Sequence, residues 1–245
     1  MNDLKFLSLV VPTYKQGRTI EKNILSLEKS LNAVGCEYEI IVVVDGIVDD
    51  SVKKLKKIAS NRIKILSYEQ NVGKGYAVKY GMLQAKGDVI GFIDGGFDID
   101  PTGIEMLLNH MMWYDADIIV GSKLHPVSKV EYPFYRKILS WGYRTMTRIM
   151  FGFKVRDTQV GLKLFKKKVV KRVFPKLLVK KFAFDVEVLA VSYALGYRRI
   201  YEAPVKLHFR NTSTINSSTF WDVIFHMLWD TLSVYYRVRI LKYYK

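Results

Sequence analysis

A mostly parallel, doubly wound α/β sheet is the fold this sequence predicts, and three observations predict it. Short β-branched runs alternate with helix-length segments, the runs are apolar on consecutive positions, and most of them end in a polar cluster rich in Asp, Gly and Ser. Unbroken apolar runs mark strands covered on both faces, the condition of a parallel sheet with helices above and below. In such sheets ligands bind beyond the carboxyl ends of the strands, which is where the polar clusters fall.

The elements follow in order. FLSLVV (6–11) is the first strand and runs into Pro12-Thr13-Tyr14, before a helical pattern near 18–34. YEIIVVV (38–44) ends in Asp45-Gly46 and precedes a helix near 49–60. IKILSY (63–68) is followed by a helix near 74–86. DVIGFI (88–93) ends in Asp94-Gly95-Gly96, and a helix near 101–113 follows with Pro101 in its first turn. ADIIVG (116–121) ends in Gly121-Ser122-Lys123. This repeat brings Asp45 and Asp94 to one crevice. Strand-end aspartates also cap following helices, a role open to Asp49 and Asp98.

A chain of 245 residues, 49% apolar and 25% charged, suffices for one large α/β domain or two small ones. That composition excludes disordered and collagen-like classes. A single cysteine, Cys36, excludes an intramolecular disulfide and a thiolate metal cluster, so a reducing compartment is expected. MNDLKFLSLVVPTY has too short an apolar core and too early a proline for a signal peptide, and the chain has no apolar run long enough to span a bilayer. The formal charge of +16 asks for a polyanion: nucleic acid, anionic lipid headgroups or a phosphorylated substrate.

Ordered motifs narrow that choice. Thr13 after Pro12, Asp45-Gly46 with Asp49 beyond, Asn71-Val-Gly73-Lys74-Gly75, Ala85-Lys-Gly87-Asp88 leading to Asp94, Gly121-Ser122 and Asp157-Thr-Gln159-Val-Gly161-Leu-Lys163 resemble, in that order, the family 2 glycosyltransferases. Within them the resemblance is to the polyprenyl-phosphate branch, the dolichyl-phosphate mannose synthases and glucosyltransferases, and it covers roughly residues 6 to 210. It implies a GT-A fold and an inverting transfer of a hexose from a GDP- or UDP-sugar to a polyprenyl (dolichyl) phosphate. It also implies a divalent cation, Mg²⁺ or Mn²⁺, which suits both a diphosphate leaving group and hard carboxylate ligands.

Residue by residue, the resemblance assigns the donor to Pro12, Thr13, Tyr14, Asp45, Gly73, Lys74, Asp94, Gly95, Gly96 and Arg210. Asp94 matches the first aspartate of the family's Asp-x-Asp motif, whereas the second position is Gly96, which has no side chain to offer. Asp98 stands two residues further on, so the expected metal ligands are Asp94 and Asp98. Lys15-Gln16, Val44 and Thr214 also depart from the family pattern. An acceptor phosphate is already ionised and needs cationic positioning rather than a base; Lys123 and Arg136 are the matching cations. A hydroxyl acceptor would need a carboxylate base, for which Asp185 and Glu187 stand ready at a helix start. Asp185 is expected to line the site and orient an acceptor-side cation. The expected catalytic set is therefore Asp94, Asp185, Arg136 and Lys123.

Two stretches suit a membrane surface. YPFYRKILSWGYRTMTRIMFGF (132–153) mixes aromatics with Arg136, Lys137, Arg144 and Arg148. From Phe220 to Tyr244, Trp221, Ile224, Phe225, Leu228, Trp229, Leu232, Tyr235 and Tyr236 recur at spacings of three and four, with Asp222, His226 and Asp230 opposite and a basic end. Such a helix lies in a lipid interface or packs on a core, and its periodicity serves either. The expected organisation is a catalytic domain over 1–210 and a membrane-associating helical segment over 211–245, peripheral on the cytoplasmic face of a membrane. Two other classes remain: a donor- or lipid-binding protein with impaired catalysis, and a nucleic-acid protein, which explains the charge but not the strand-end aspartates.

Overall fold

Eight residues, FLSLVVPT, form strand β1 (Phe6–Thr13), and their alternation sorts the two sides of the molecule. Leu7, Leu9 and Val11 enter one apolar cluster, while Val10 enters the other. Both faces are covered, as the unbroken apolar runs predict. The computed structural model describes residues 4–124, 134–181, 183–207 and 217–245. Strands β2 (Glu37–Asp45), β3 (Ile63–Tyr68), β4 (Val89–Ile93), β5 (Ile118–Ser122), β6 (Leu162–Lys166) and β7 (Ile200–Pro204) complete one sheet in the order β3-β2-β1-β4-β6-β5-β7. Helices α1 (Ile20–Asn32), α2 (Ser51–Ile58) and α4 (Gly103–Trp113) cover one face; α3 (Lys74–Gln84), α6 (Lys167–Val173) and α7 (Phe184–Ala194) cover the other.

All neighbouring strands run parallel except β6, which is antiparallel to both β4 and β5. The reversal matters for the site. It places the start of β6, and with it residues 157–161, at the edge where the other strands end. Order in the sheet also reverses between β1 and β4, the place where an open α/β sheet forms its crevice.

Helix starts differ in detail from the sequence pattern. Helix α4 begins at Gly103, beyond Pro101, because the Asp100 carboxylate takes the Thr102 N–H at 2.9 Å and closes a turn there. Asp49 accepts from Ser51 N–H at 3.0 Å at the start of α2 and from Gly17 N–H at 2.9 Å. Asp98 is exposed.

Helices α5 (Phe134–Phe151) and α8 (Ser217–Tyr235) lie on the α7 side, and a π turn, Tyr236–Ile240, follows α8. Tyr143 of α5 and Thr231 of α8 share a hydrogen bond at 2.8 Å. Thr231, Val234 and Tyr244 are buried, whereas Phe225, Trp229, Leu232, Tyr236 and Ile240 are more than half exposed. The segment is thus apolar on two sides, one packed and one facing solvent. Among the described residues, no helix is long and apolar enough to cross a membrane.

Candidate active site

Asp45 ends β2 with its carboxylate buried. Oδ1 accepts from Tyr68 Oη at 2.9 Å and Val72 N–H at 2.8 Å; Oδ2 accepts from Asn71 Nδ2 at 2.9 Å and Gly73 N–H at 3.0 Å. Its oxygens are spent on Tyr68 and the Asn71–Gly73 loop, so Asp45 shapes this edge of the crevice from behind rather than presenting a free carboxylate to it. Gly73 stands at φ 119°, and a Cβ there would meet Lys180 O at 2.5 Å. That close approach, with a left-handed φ, requires glycine.

Residues at the ends of β1 and β4 are joined by Gln16. With its NH₂ facing Thr13 Oγ1 (3.1 Å) and Gly95 O (2.8 Å), the Gln16 amide oxygen accepts from Gly96 N–H at 3.1 Å. Pro12 continues β1 and Tyr14 is exposed beside it. Lys15 and Phe97 each hold φ at 53°, so two non-glycine residues sit in the left-handed region at the two loops of the crevice.

Between these loops lies a line of alternating charge. Lys74 Nζ is 2.8 Å from Asp94 Oδ1, 3.1 Å from Asp94 Oδ2 and 3.3 Å from Asp185 Oδ2. Asp185, in the first turn of α7, is bonded in turn to Lys163 of β6, whose ammonium also donates to Val160 O at 2.6 Å. Lys163 is completely buried and Asp185 nearly so. Burial pushes the Asp185 carboxyl up, but the two lysines outweigh it and hold it below its ordinary value. Burial likewise depresses the Lys163 ammonium, with Asp185 opposing. Lys74 is raised: burial lowers it, and Asp185 and Asp94 more than compensate.

Asp94 is anchored through its backbone N–H to Gly161 O at 2.8 Å, and a Cβ on Gly161 would fall 2.0 Å from Asp94 Oδ2. Asp94 Oδ1, though near Lys74, is buried with no aligned hydrogen-bond donor. Among the described residues, no three His, Cys, Asp or Glu side chains converge as metal ligands. Asp157 accepts from Lys123 N–H at 3.1 Å, and burial raises its carboxyl despite that lysine.

The crevice therefore gathers Pro12, Thr13, Asp94, Gly95, Gly96, Lys74 and Asp185, with Asp45 and Gly73 behind them. Asp98 lies exposed further along the loop, and Lys123 is tied to the 157–161 segment. Arg136 lies on α5 with its side chain outside the described part, and Arg210 lies outside the described residues. Sequence reasoning did not place Lys163 or Gln16 in the site. For Lys163 a signal existed, a lysine inside an otherwise apolar LKLF run.

The family model Glycosyl transferase family 2 matches residues 8–174. Curated relatives include a dolichyl-phosphate beta-glucosyltransferase of Dictyostelium discoideum, 32% identical over 78% of this chain and 63% of its own length. One of Drosophila melanogaster is 33% identical over 76% of this chain and 62% of its own. The chain thus spans just under two thirds of the length of these relatives. Among solved structures, glucosyl-3-phosphoglycerate synthase from Mycobacterium tuberculosis, in complex with Mn²⁺, uridine diphosphate and phosphoglyceric acid, superposes with a TM-score of 0.69. Identity is 19%, over 95% of this chain and 78% of that one. The same enzyme with Mn²⁺, UDP-glucose and phosphoglyceric acid gives 0.68 at 16% identity, over 94% and 80%.

Proposed function

Because this chain belongs to glycosyl transferase family 2, we propose that it moves glucose from UDP-glucose to a polyprenyl phosphate of the dolichyl type. An acceptor phosphate oxygen attacks the anomeric carbon, the bond to the diphosphate breaks, and UDP leaves. The observation that carries this reading is the line Asp94–Lys74–Asp185–Lys163 at the carboxyl edge of the sheet. The names of the relatives support glucose and dolichyl phosphate, and the UDP-bound neighbours of the same fold support the nucleotide.

In this reading Asp185 is not a base. A carboxylate held ionised between two ammonium groups has little proton affinity to offer, which favours an acceptor that arrives deprotonated over a hydroxyl. Asp185 instead fixes Lys74, whose ammonium faces the leaving diphosphate. Lys123 and Arg136 position the acceptor phosphate, and Arg210 contributes from the donor side. Asp94 and Asp98 would hold a divalent cation, Asp94 with a partly exposed carboxylate that also pairs with Lys74 and Asp98 with an exposed one. Such an ion, when bound, neutralises charge developing on the leaving group.

Calorimetric titration tests the donor side. UDP is expected to bind more tightly with Mn²⁺ or Mg²⁺ than with a chelator present, and Asp98→Ala to lose most of that gain. An Asp98→Ala protein with the metal dependence of wild type would leave Asp98 as a loop carboxylate only.

The solvent-facing side of α8, with Phe225, Trp229, Leu232, Tyr236 and Ile240, is proposed to meet the lipid surface. Arg144, Arg148, Arg239, Lys242 and Lys245 supply attraction to anionic headgroups, about 1 kcal/mol each near the surface. Removing the whole segment is a poor test, since Thr231, Val234 and Tyr244 are part of the core. Replacing Phe225, Trp229 and Leu232 together by serine leaves the packed side intact. Each apolar side chain moved from water into lipid is worth about 1–2 kcal/mol, so co-sedimentation with anionic vesicles should weaken at least about 100-fold. Wild-type binding should also fall as salt rises. Unchanged sedimentation of the triple variant would move the membrane contact elsewhere on the molecule.

A further inference from the structure

A second carboxylate of α7, Glu187, takes no part in the charged line, yet it is completely buried and fully engaged. Its Oε1 accepts from Tyr244 Oη at 2.6 Å and lies 3.5 Å from Arg237 Nη2. Its Oε2 accepts from Leu178 N–H at 3.0 Å and Val179 N–H at 2.8 Å. Tyr244 is itself among the largest fully buried side chains. One carboxylate thus joins the turn after α8 to the 177–181 loop.

That loop leans on the donor side of the crevice. Lys180 O accepts from Tyr76 N–H at 3.2 Å. A Cβ on Gly73 would lie 2.5 Å from Lys180 O, and one on Gly75 would lie 2.8 Å from Val179 O. Lys79 Nζ ties α3 to the same loop through Leu177 O at 2.8 Å. Between the two packed glycines stands Lys74, the cation that bridges Asp94 and Asp185. Contact therefore runs without a gap from Tyr244 through Glu187 and residues 178–180 to the start of α3.

We propose that Tyr244 and Glu187 are positioning residues: together they clamp the 177–181 loop onto Gly73-Lys74-Gly75 and so fix Lys74 for the donor diphosphate. The segment carrying the exposed apolar side of α8 is by this route in mechanical contact with the donor loop. The role assigned to Lys74 rests on the donor reading above; the clamp itself does not.

Tyr244→Phe removes one hydroxyl and keeps the ring. Amide exchange at Val179 and Tyr76 is expected to rise about tenfold, the factor given by loss of one charge-assisted hydrogen bond, with amides of β1 and β2 unchanged. The dissociation constant for UDP is expected to rise about fivefold to tenfold, with a larger effect on KM for the donor than on kcat. Glu187→Leu should exceed it, and Glu187→Gln, which still accepts both loop N–H groups, should restore most of the protection. Unchanged exchange at Tyr76 and Val179 in Tyr244→Phe overturns the clamp, as does an increase spread evenly over the sheet, which would mark general destabilisation. If wild type binds neither UDP nor GDP, the donor reading fails while the exchange comparison still decides the clamp.

Discussion

Asp185→Asn is expected to destabilise the protein by about 3–5 kcal/mol, because it leaves the Lys163 ammonium charged and unpaired in the interior. Lys163 has no exposure, and Asp185 is its ion-pair partner, with Val160 O the other acceptor at its ammonium. Total stabilities of single domains are about 5–15 kcal/mol, so this loss is large enough to see directly in urea unfolding. The pH dependence has a definite sign. Folding lowers the Asp185 carboxyl from its ordinary value of 3.8, so its stabilisation is present above that pH and is lost as pH falls through the folded value. The gap between wild type and Asp185→Asn should close as the solution is acidified below that range. Asp185→Leu combined with Lys163→Met removes both charges together and should recover much of the stability, since a buried pair exchanged for apolar groups of like size is often neutral. Transfer should not recover with it, because Lys74 has lost the carboxylate that orients it. A single Asp185→Asn variant within about 0.5 kcal/mol of wild type would show that Lys163 is not held as an ammonium by this pair.

Asp94→Asn is the other large effect, and it should separate activity from stability. Asp94 keeps its backbone bond to Gly161 O whatever its side chain, and the carboxylate is partly exposed, so the fold should survive with a change of about 1 kcal/mol or less. Transfer should fall about 100- to 1000-fold, the loss typical when one preorganised electrostatic contact to a leaving group is removed. Lys74 would then lean on Asp185 alone, drawing the ammonium away from the place proposed for the diphosphate. Wild-type turnover in a folded Asp94→Asn protein would remove this carboxylate from the chemistry.

The parallel part of the sheet was legible because burial on both faces leaves a direct mark, a nearly unbroken apolar run, in β1, β2, β4 and β5; the edge strand β3, IKILSY, carries Lys64 and is buried at Ile63 alone. Strand β6 carries it less clearly. Lys163 interrupts LKLF, and nothing in a strand's own periodicity says whether it runs parallel or antiparallel. The direction decides the site, since only a reversed β6 puts Gly161 beside Asp94. Asp94, Lys74 and Asp185 could be named from their motifs, yet their joint use could not, because it depends on β4, α3 and α7 converging. Asp45 shows the opposite case: its position was readable, but the four donors that occupy its oxygens come from Tyr68 and the Asn71–Gly73 loop, which only the folded chain brings to it. The stretch 220–244 read as one amphipathic stripe. It is apolar on two sides instead, because the core takes Thr231, Val234 and Tyr244 and leaves Phe225, Trp229 and Leu232 outside.

The most direct test of the central claim is transfer itself. The purified chain is incubated with polyprenyl phosphate and a panel of radiolabelled nucleotide sugars, UDP-glucose and GDP-mannose among them, in the presence of Mg²⁺ or Mn²⁺, and label is scored in the organic phase. Label is expected in lipid from UDP-glucose, absent without polyprenyl phosphate and reduced about 100-fold or more in Asp94→Asn. No lipid-borne label from any donor, by a protein that still binds UDP, would contradict this expectation and leave a nucleotide-sugar binder in place of a transferase.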